Sequence, residues 1–268
     1  MLVGDEARGT WKTPAQVRAA FFDIDGTLAP QGSGELPASA RAAIVRMRER
    51  GVHAFVATGR APDYALQFAR GLFDGVLAMN GMYVMLGDEV IFKRPLPRDV
   101  VERLVGMTDA GMQVAFSEAT CAYTNGADRH VPANENLASW FDVGATSQAL
   151  NHEVYQASFM LDPADEDEMR GRFPGCDISR WHPRFVDLFA QGGGKAVGIA
   201  EILRHLGVRA SESVAFGDSP NDISMFGACG TSVAMASGFD ETRAAARYVT
   251  EPPEDDGIYN ACVRLGMI

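Results

Sequence analysis

Apolar residues along this chain fall in short runs that stop at polar turns. Arg18 to Ile24 is nearly all apolar and ends at Asp25-Gly26, the pattern of a strand buried on both faces and closed by a turn. Ala38 to Arg50 changes period: Ile44 and Met47 share a helical face, basic residues gather near the end, and Gly51 supplies the stop. Val52 to Ala57 repeats the buried-strand pattern, Pro62 to Arg70 reads as a helix and Val76 to Met79 as a third strand. The order β-α-β-α-β is that of a parallel, doubly wound, Rossmann-like sheet, so the expected fold class is α/β.

After Gly81 the rhythm breaks. Met82 to Leu86 and Glu89 to Phe92 read as a hairpin about Gly87-Asp88, and Arg98 to Met107 as an apolar-striped helix. Further strands are expected at Gln113 to Phe116, Val154 to Leu161 and Phe185 to Phe189, with helical stretches near Glu135 to Phe141 and Asp165 to Arg172. This is α+β character. The alternation then returns as a helix at Lys195 to Leu206, a strand at Ser213 to Phe216, a helix from Pro220, a strand at Thr231 to Met235, a helix at Asp240 to Arg247 and a strand at Tyr248 to Thr250. The expected organisation is an N-terminal arm at 1–16, a core formed by 17–81 and 191–268, and an inserted α+β domain at 82–190. Gly192-Gly193-Gly194 stands where the chain would return to the core, as a hinge would.

Composition narrows the function classes. At 268 residues, 47% hydrophobic and 22% charged, the chain is long enough for one large or two modest domains and unlike a collagen, a coiled coil or a disordered chain. Its net charge of −11 repels nucleic acid and anionic membranes, so neither is an expected partner, and an anionic ligand needs a local positive site. No apolar run reaches the roughly 18 residues of a membrane span, and the first residues lack the basic-then-apolar order of a signal peptide; a cytoplasmic protein is expected. Cys121, Cys176, Cys229 and Cys262 have no metal or redox spacing and are expected to be buried, reduced thiols.

Four short motifs carry chemistry. Asp23-Ile24-Asp25-Gly26-Thr27 places two carboxylates where a buried strand opens into a turn; near-neighbour carboxylates repel and split in role, although an Asp-Gly turn alone explains the same letters. Thr58-Gly59-Arg60 again ends a strand before a helix, where a hydroxyl and free amides suit an oxyanion, or simply form a loop. Lys195 opens a helix after three glycines, yet Phe189 and Ala196 break a Walker-type nucleotide loop, and a single lysine at such a place is commonly a surface charge. Gly217-Asp218-Ser219-Pro220-Asn221-Asp222 ends a third strand with two carboxylates and an amide, or with an Asx turn capping the next helix.

Taken together and in this order, the four motifs resemble those of the haloacid dehalogenase superfamily, and in particular its Cof-like class IIB phosphatases, whose cap domain lies between the second motif and the lysine. The resemblance covers about residues 17 to 265 and takes in Met79-Asn80-Gly81 and Asp256-Gly257-Ile258. Ser219 stands where that branch often has a glycine, and Gly-Gly-Gly precedes Lys195 in place of a Ser-Lys-Gly-like run; neither removes a functional group. What the resemblance implies is a Mg²⁺-dependent phosphatase of small phosphorylated metabolites, sugar phosphates favoured, with 82–190 as the cap. Asp23 would be the nucleophile and Asp25 the general acid and base. Thr58, Gly59, Lys195 and Asn221 would bind the phosphoryl group, with Lys195 also neutralising the nucleophile. Asp23, the Asp25 main-chain carbonyl and Asp218 would hold Mg²⁺, supported from behind by Asp222.

Two other functions share the scaffold: a phosphomutase, separable by free phosphate release, and a non-catalytic binding module, which would be expected to lack the nucleophile or acid. Arg129-His130 and Arg180-Trp181-His182-Pro183-Arg184 could face a substrate but read more simply as solvated surface. His53, within an apolar strand, reads as a core histidine.

Overall fold

The computed structural model describes Trp11, residues 16–126 and residues 137–268. Most of the expected arm, all of Arg129-His130 and the first part of the stretch at Glu135 to Phe141 lie outside the described residues. In chain order the elements begin with β1 (Ala19–Phe22), α1 (Ala38–Glu49), β2 (His53–Ala57), α2 (Pro62–Ala69), β3 (Gly75–Ala78), β4 (Tyr83–Leu86) and β5 (Glu89–Lys93). There follow α3 (Arg98–Asp109), β6 (Val114–Glu118), β7 (Ala122–Thr124), β8 (Asp142–Val143), β9 (Val154–Met160), α4 (Glu166–Arg172), β10 (Cys176–His182) and β11 (Phe185–Ala190). The last stretch holds α5 (Lys195–Leu206), β12 (Ser213–Gly217), α6 (Ile223–Ala228), β13 (Thr231–Met235), α7 (Asp240–Ala245), β14 (Tyr248–Thr250) and α8 (Gly257–Arg264).

The chain divides into two compact units. One holds the described residues of Met1–Val56, Ala69–Asp74 and Ile202–Ile268, the other Ala57–Phe68 and Gly75–Glu201. In the first unit the strands lie in the order β14-β13-β12-β1-β2, every neighbouring pair parallel. This is the expected α/β class with a doubly wound parallel sheet. Phe21 stacks on Phe55 at 5.2 Å and Phe22 on Phe216 at 4.6 Å. Successive strand side chains point to opposite faces, so the pair covers both sides of the sheet, which is why the β1 run is continuously apolar. Each such phenylalanine contributes about 1.5–3 kcal/mol by burial. The direction of winding reverses between β1 and β12, and open α/β sheets bind ligands outside the carboxyl ends of their strands at that point.

β1 stops at Phe22, short of the expected Ile24, because the chain then folds on itself: the N–H groups of Leu28 and Ala29 donate to the Asp23 and Ile24 carbonyls at 3.2 and 2.9 Å. α8 was hidden by the Asp256-Gly257 turn signal; Asp256 does take a left-handed φ of 61°, but a helix starts directly behind it.

In the second unit β3, β4 and β5 neighbour one another antiparallel, and a separate six-stranded sheet runs β10-β11-β9-β6-β7-β8. Val114, Phe116, Ala157, Phe159, Val186 and Leu188 join one apolar cluster with Val100, Val101 and Leu104 of α3 and Met169 of α4. With a strand period of two, Ser117, Gln156, Ser158 and Asp187 stand on the opposite face, and all four are buried.

Two smaller expectations are corrected. The His53 side chain is 43% exposed, with its Nδ1 3.8 Å from Asp74, because it sits at the strand's entry. Cys121 is exposed and Cys229 only half-buried, although all four cysteines are free thiols. Among the described residues no helix is long and apolar enough to cross a membrane.

Candidate active site

β1 and β12 are parallel neighbours with Phe22 opposite Phe216, so the residues leaving their carboxyl ends emerge side by side. Those residues are Asp23 and Asp218. With Asp222 they form a group of three buried carboxylates whose candidate ligand oxygens lie within 4.8 Å of one another. At that separation two ionised carboxylates repel by roughly 3 kcal/mol at an effective dielectric of ~20, so the cluster calls for a cation or a shared proton.

The surrounding residues hold the cluster rigidly. Thr27 Oγ1 donates to Asp218 Oδ1 at 2.8 Å, and Phe239 N–H donates to the Asp218 carbonyl at 2.8 Å. Asp222 Oδ2 accepts the N–H groups of Asp218 at 2.9 Å and Ser219 at 3.0 Å, which ties the loop after β12 to the carboxylate it carries. Gly26 has φ +83°, and a Cβ there would lie 2.5 Å from Asp218 Oδ2. The floor of the cluster is thus a glycine for two separate reasons, conformation and space. Ser219 Oγ donates to Asn221 Oδ1 at 2.7 Å. Asp25 lies in the same loop, half-buried, where its backbone bridges to Ala29. An all-oxygen, carboxylate-rich donor set suits a hard divalent cation such as Mg²⁺.

Thr58, Gly59 and Lys195 belong to the second unit. Thr58 is buried just beyond β2, its N–H donating to the Leu77 carbonyl at 2.8 Å and its Oγ1 accepting the Arg60 N–H at 3.1 Å. Lys195, at the start of α5, is fully buried and so is not a surface charge. The turn Met79–Gly81 packs between these two places: Asn80 N–H donates to the Thr58 carbonyl at 3.0 Å, and a Cβ on Gly81 would come within 2.9 Å of the Gly194 carbonyl oxygen and 3.3 Å of Lys195 Cα.

Sequence reasoning did not assign roles to Asn80, Gln156 or Asp187. Asn80 Nδ2 donates to Gln156 Oε1 and to Asp187 Oδ2, both at 2.8 Å, and Gln156 Nε2 donates to the Gly59 carbonyl at 3.0 Å. Ser158 Oγ and Trp181 Nε1 donate to Asp187 Oδ1 at 2.6 and 3.0 Å. Trp181 is therefore part of a buried network and not solvated surface. Burial pushes the Asp187 carboxyl up to about 6, against the opposing pull of the Ser158, Asn80 and Trp181 hydrogen bonds and the Lys195 charge. The one available signal was Asn-Gly at a strand end, a dipeptide suited to positive φ.

Residues 20–262 match the family model of the haloacid dehalogenase-like hydrolases. YkrA of Bacillus subtilis (strain 168), which carries phosphatase in its name, is 33% identical over 255 residues, 92% of this chain and 97% of YkrA. Two solved structures superimpose over nearly the whole chain. One is the subclass IIB sugar phosphatase BT4131, with TM-score 0.84 and 34% identity over 94% of this chain and 100% of that one. The other is the phosphatase BT1666 of Bacteroides thetaiotaomicron, with TM-score 0.84 and 27% identity over 94% of this chain and 96% of that one. The acidic site at the winding reversal and the match across both units lead to one conclusion: this chain belongs to the haloacid dehalogenase-like hydrolase family.

Proposed function

We propose that the protein is a Mg²⁺-dependent phosphatase of small phosphorylated metabolites, sugar phosphates favoured, acting in the cytoplasm through an aspartyl-phosphate on Asp23. The observation that carries this reading is the buried group of Asp23, Asp218 and Asp222 at the carboxyl ends of β1 and β12. Asp23, Asp218 and the Asp25 main-chain carbonyl would hold Mg²⁺, with Asp222 fixing the loop that presents Asp218. Bound there, the cation would neutralise phosphoryl oxygens and keep Asp23 ionised.

The chain's own residues supply the remaining steps. The Asp23 carboxylate attacks phosphorus, forming an acyl-phosphate bond as the bond to the leaving oxygen breaks. Asp25, half-buried in the same loop, gives its proton to the leaving alcohol and later takes one from the water that attacks phosphorus, which returns Asp23 as a carboxylate. Thr58 Oγ1, the Gly59 N–H and Lys195 hold the transferring group, and Asn221 supports it. Phosphoryl transfer needs mostly positioning and charge neutralisation, and in a chain of net charge −11 those local donors are what makes an anionic substrate acceptable. Residues 82–190 are proposed as a cap that selects the leaving group and excludes water during transfer.

A screen of phosphorylated sugars, nucleotides and cofactors, read by free phosphate release with and without Mg²⁺, tests the proposal. Release from at least one small phosphomonoester without added bisphosphate is the expected result. Transfer between positions of a sugar with no phosphate release would replace the phosphatase by a mutase.

A further inference from the structure

The turn Met79–Gly81 holds three consecutive residues at positive φ, 48°, 53° and 82°. For Met79 and Asn80, which carry side chains, this conformation costs on the order of 1 kcal/mol each, and such strain persists only where the surroundings over-determine it. Here the backbone of the turn meets the Thr58 loop on one side and the start of α5 on the other, through the Asn80 N–H and the bare Gly81 Cα. The Asn80 side chain reaches in a third direction, into the polar face of the six-stranded sheet, where it donates to both Gln156 and Asp187.

That face is built to receive it. Asp187 on β11 stands directly opposite Ser158 on β9, and Phe189 opposite Gln156, which brings the two polar acceptors for Asn80 onto adjoining strands. In β10 the register with β11 shifts between Arg180 and His182, and the Trp181 left at the irregularity turns its indole N–H to Asp187. Gln156 closes the circuit by donating to the Gly59 carbonyl. Holding that carbonyl fixes the Gly59–Arg60 peptide plane, whose N–H meets Thr58 Oγ1. A buried carboxylate is tolerated only when hydrogen-bonded and balanced by charge, and Asp187 has three donors and the nearby charge of Lys195.

We propose that Asn80, Gln156 and Asp187 are positioning residues: a buried polar brace that holds the Thr58–Gly59 loop and Lys195 in the geometry that accepts a phosphoryl group. The inference rests on the phosphatase reading above. None of the three is assigned contact with the reacting atoms; they act through Thr58, Gly59 and Lys195.

The decisive variant is Asn80→Gly. Glycine adopts φ 53° without strain, so the turn is retained and only the amide is lost. Asp187→Asn and Gln156→Leu test the other two members. Inorganic phosphate binding by calorimetry, kcat and KM on the best substrate of the screen, and the melting temperature are measured for each. The brace predicts for Asn80→Gly that phosphate binding weakens by about tenfold or more and kcat falls by a similar factor, while the melting temperature falls only modestly, because relief of strain at φ 53° offsets part of the cost of leaving Gln156 Oε1 and Asp187 Oδ2 without that donor. Phosphate binding and kcat within twofold of wild type for both Asn80→Gly and Asp187→Asn would overturn it, as would a wild-type protein that does not bind phosphate. A wild type that binds phosphate but hydrolyses no phosphomonoester defeats the phosphatase reading instead, and the calorimetric comparison still decides the brace.

Discussion

Gly26 shows how tightly the acidic site is drawn together. Its backbone is left-handed, and the space a side chain would need is taken by the Asp218 carboxylate. Gly26→Ala therefore meets two costs at once, a strained φ and a clash with a buried charged group held by Thr27. The expected loss is about 1–3 kcal/mol in denaturant unfolding, with phosphate release falling by more than the unfolded fraction accounts for. Unchanged stability and activity would show that the loop relaxes freely. At this scale the sequence was informative wherever chemistry repeats as a motif. Asp23, Thr58, Lys195 and Asp218 are all named by short strings at strand or helix ends. Asp187 is not, because a single aspartate inside the apolar run Phe185–Ala190 belongs to no motif. Its burial comes from Ser158, Trp181 and Asn80, residues 29, 6 and 107 positions away.

At the scale of elements, β11 carries a titration that can be read from outside. The groups facing Asp187 are Ser158 from β9, Trp181 from β10, Asn80 from the strained turn and Lys195 from α5. Its carboxyl is raised from an ordinary 3.8 to about 6, so the fold favours the protonated form. The contribution to stability is fully present below about 3.8 and is lost as pH rises through about 6. Between those limits the wild type should lose melting temperature relative to Asp187→Asn, which does not titrate. A constant difference across that range would show that Asp187 keeps an ordinary affinity for its proton. Elements with a clean period were legible: α5, β13 and β14 lie where their patterns placed them. β7 and β8 were missed because three and two residues carry no period, and β10 because its polar alternation around Arg180 and Trp181 mimics a surface loop.

For the whole molecule, the buried carboxylate cluster is the feature that calls for a cation or a shared proton, and binding of a cation separates the two. If Asp23, Asp218 and Asp222 mark its site, Mg²⁺ should raise the melting temperature, since a ligand at 100 times its Kd adds about 2.7 kcal/mol to the native state. Asp218→Asn should abolish that rise, and chelator should stop phosphate release in the wild type. Ca²⁺, which takes more ligands and tends to bind carboxylates through both oxygens, should support little turnover. Full activity in excess chelator would contradict the assignment. The fold class was legible from alternation alone, whereas the grouping of Ala57–Phe68 with the second unit was not, because that stretch follows the same strand-then-helix pattern as the core.

The central claim is that the phosphoryl group passes through Asp23. An acyl phosphate, unlike a free carboxylate, is reduced to the alcohol by borohydride, so turnover quenched with borohydride followed by peptide mapping reads the site directly. Reduction of the Asp23 side chain is expected, dependent on substrate and absent without it. Reduction at another carboxylate, or at none while phosphate is being released, would contradict it.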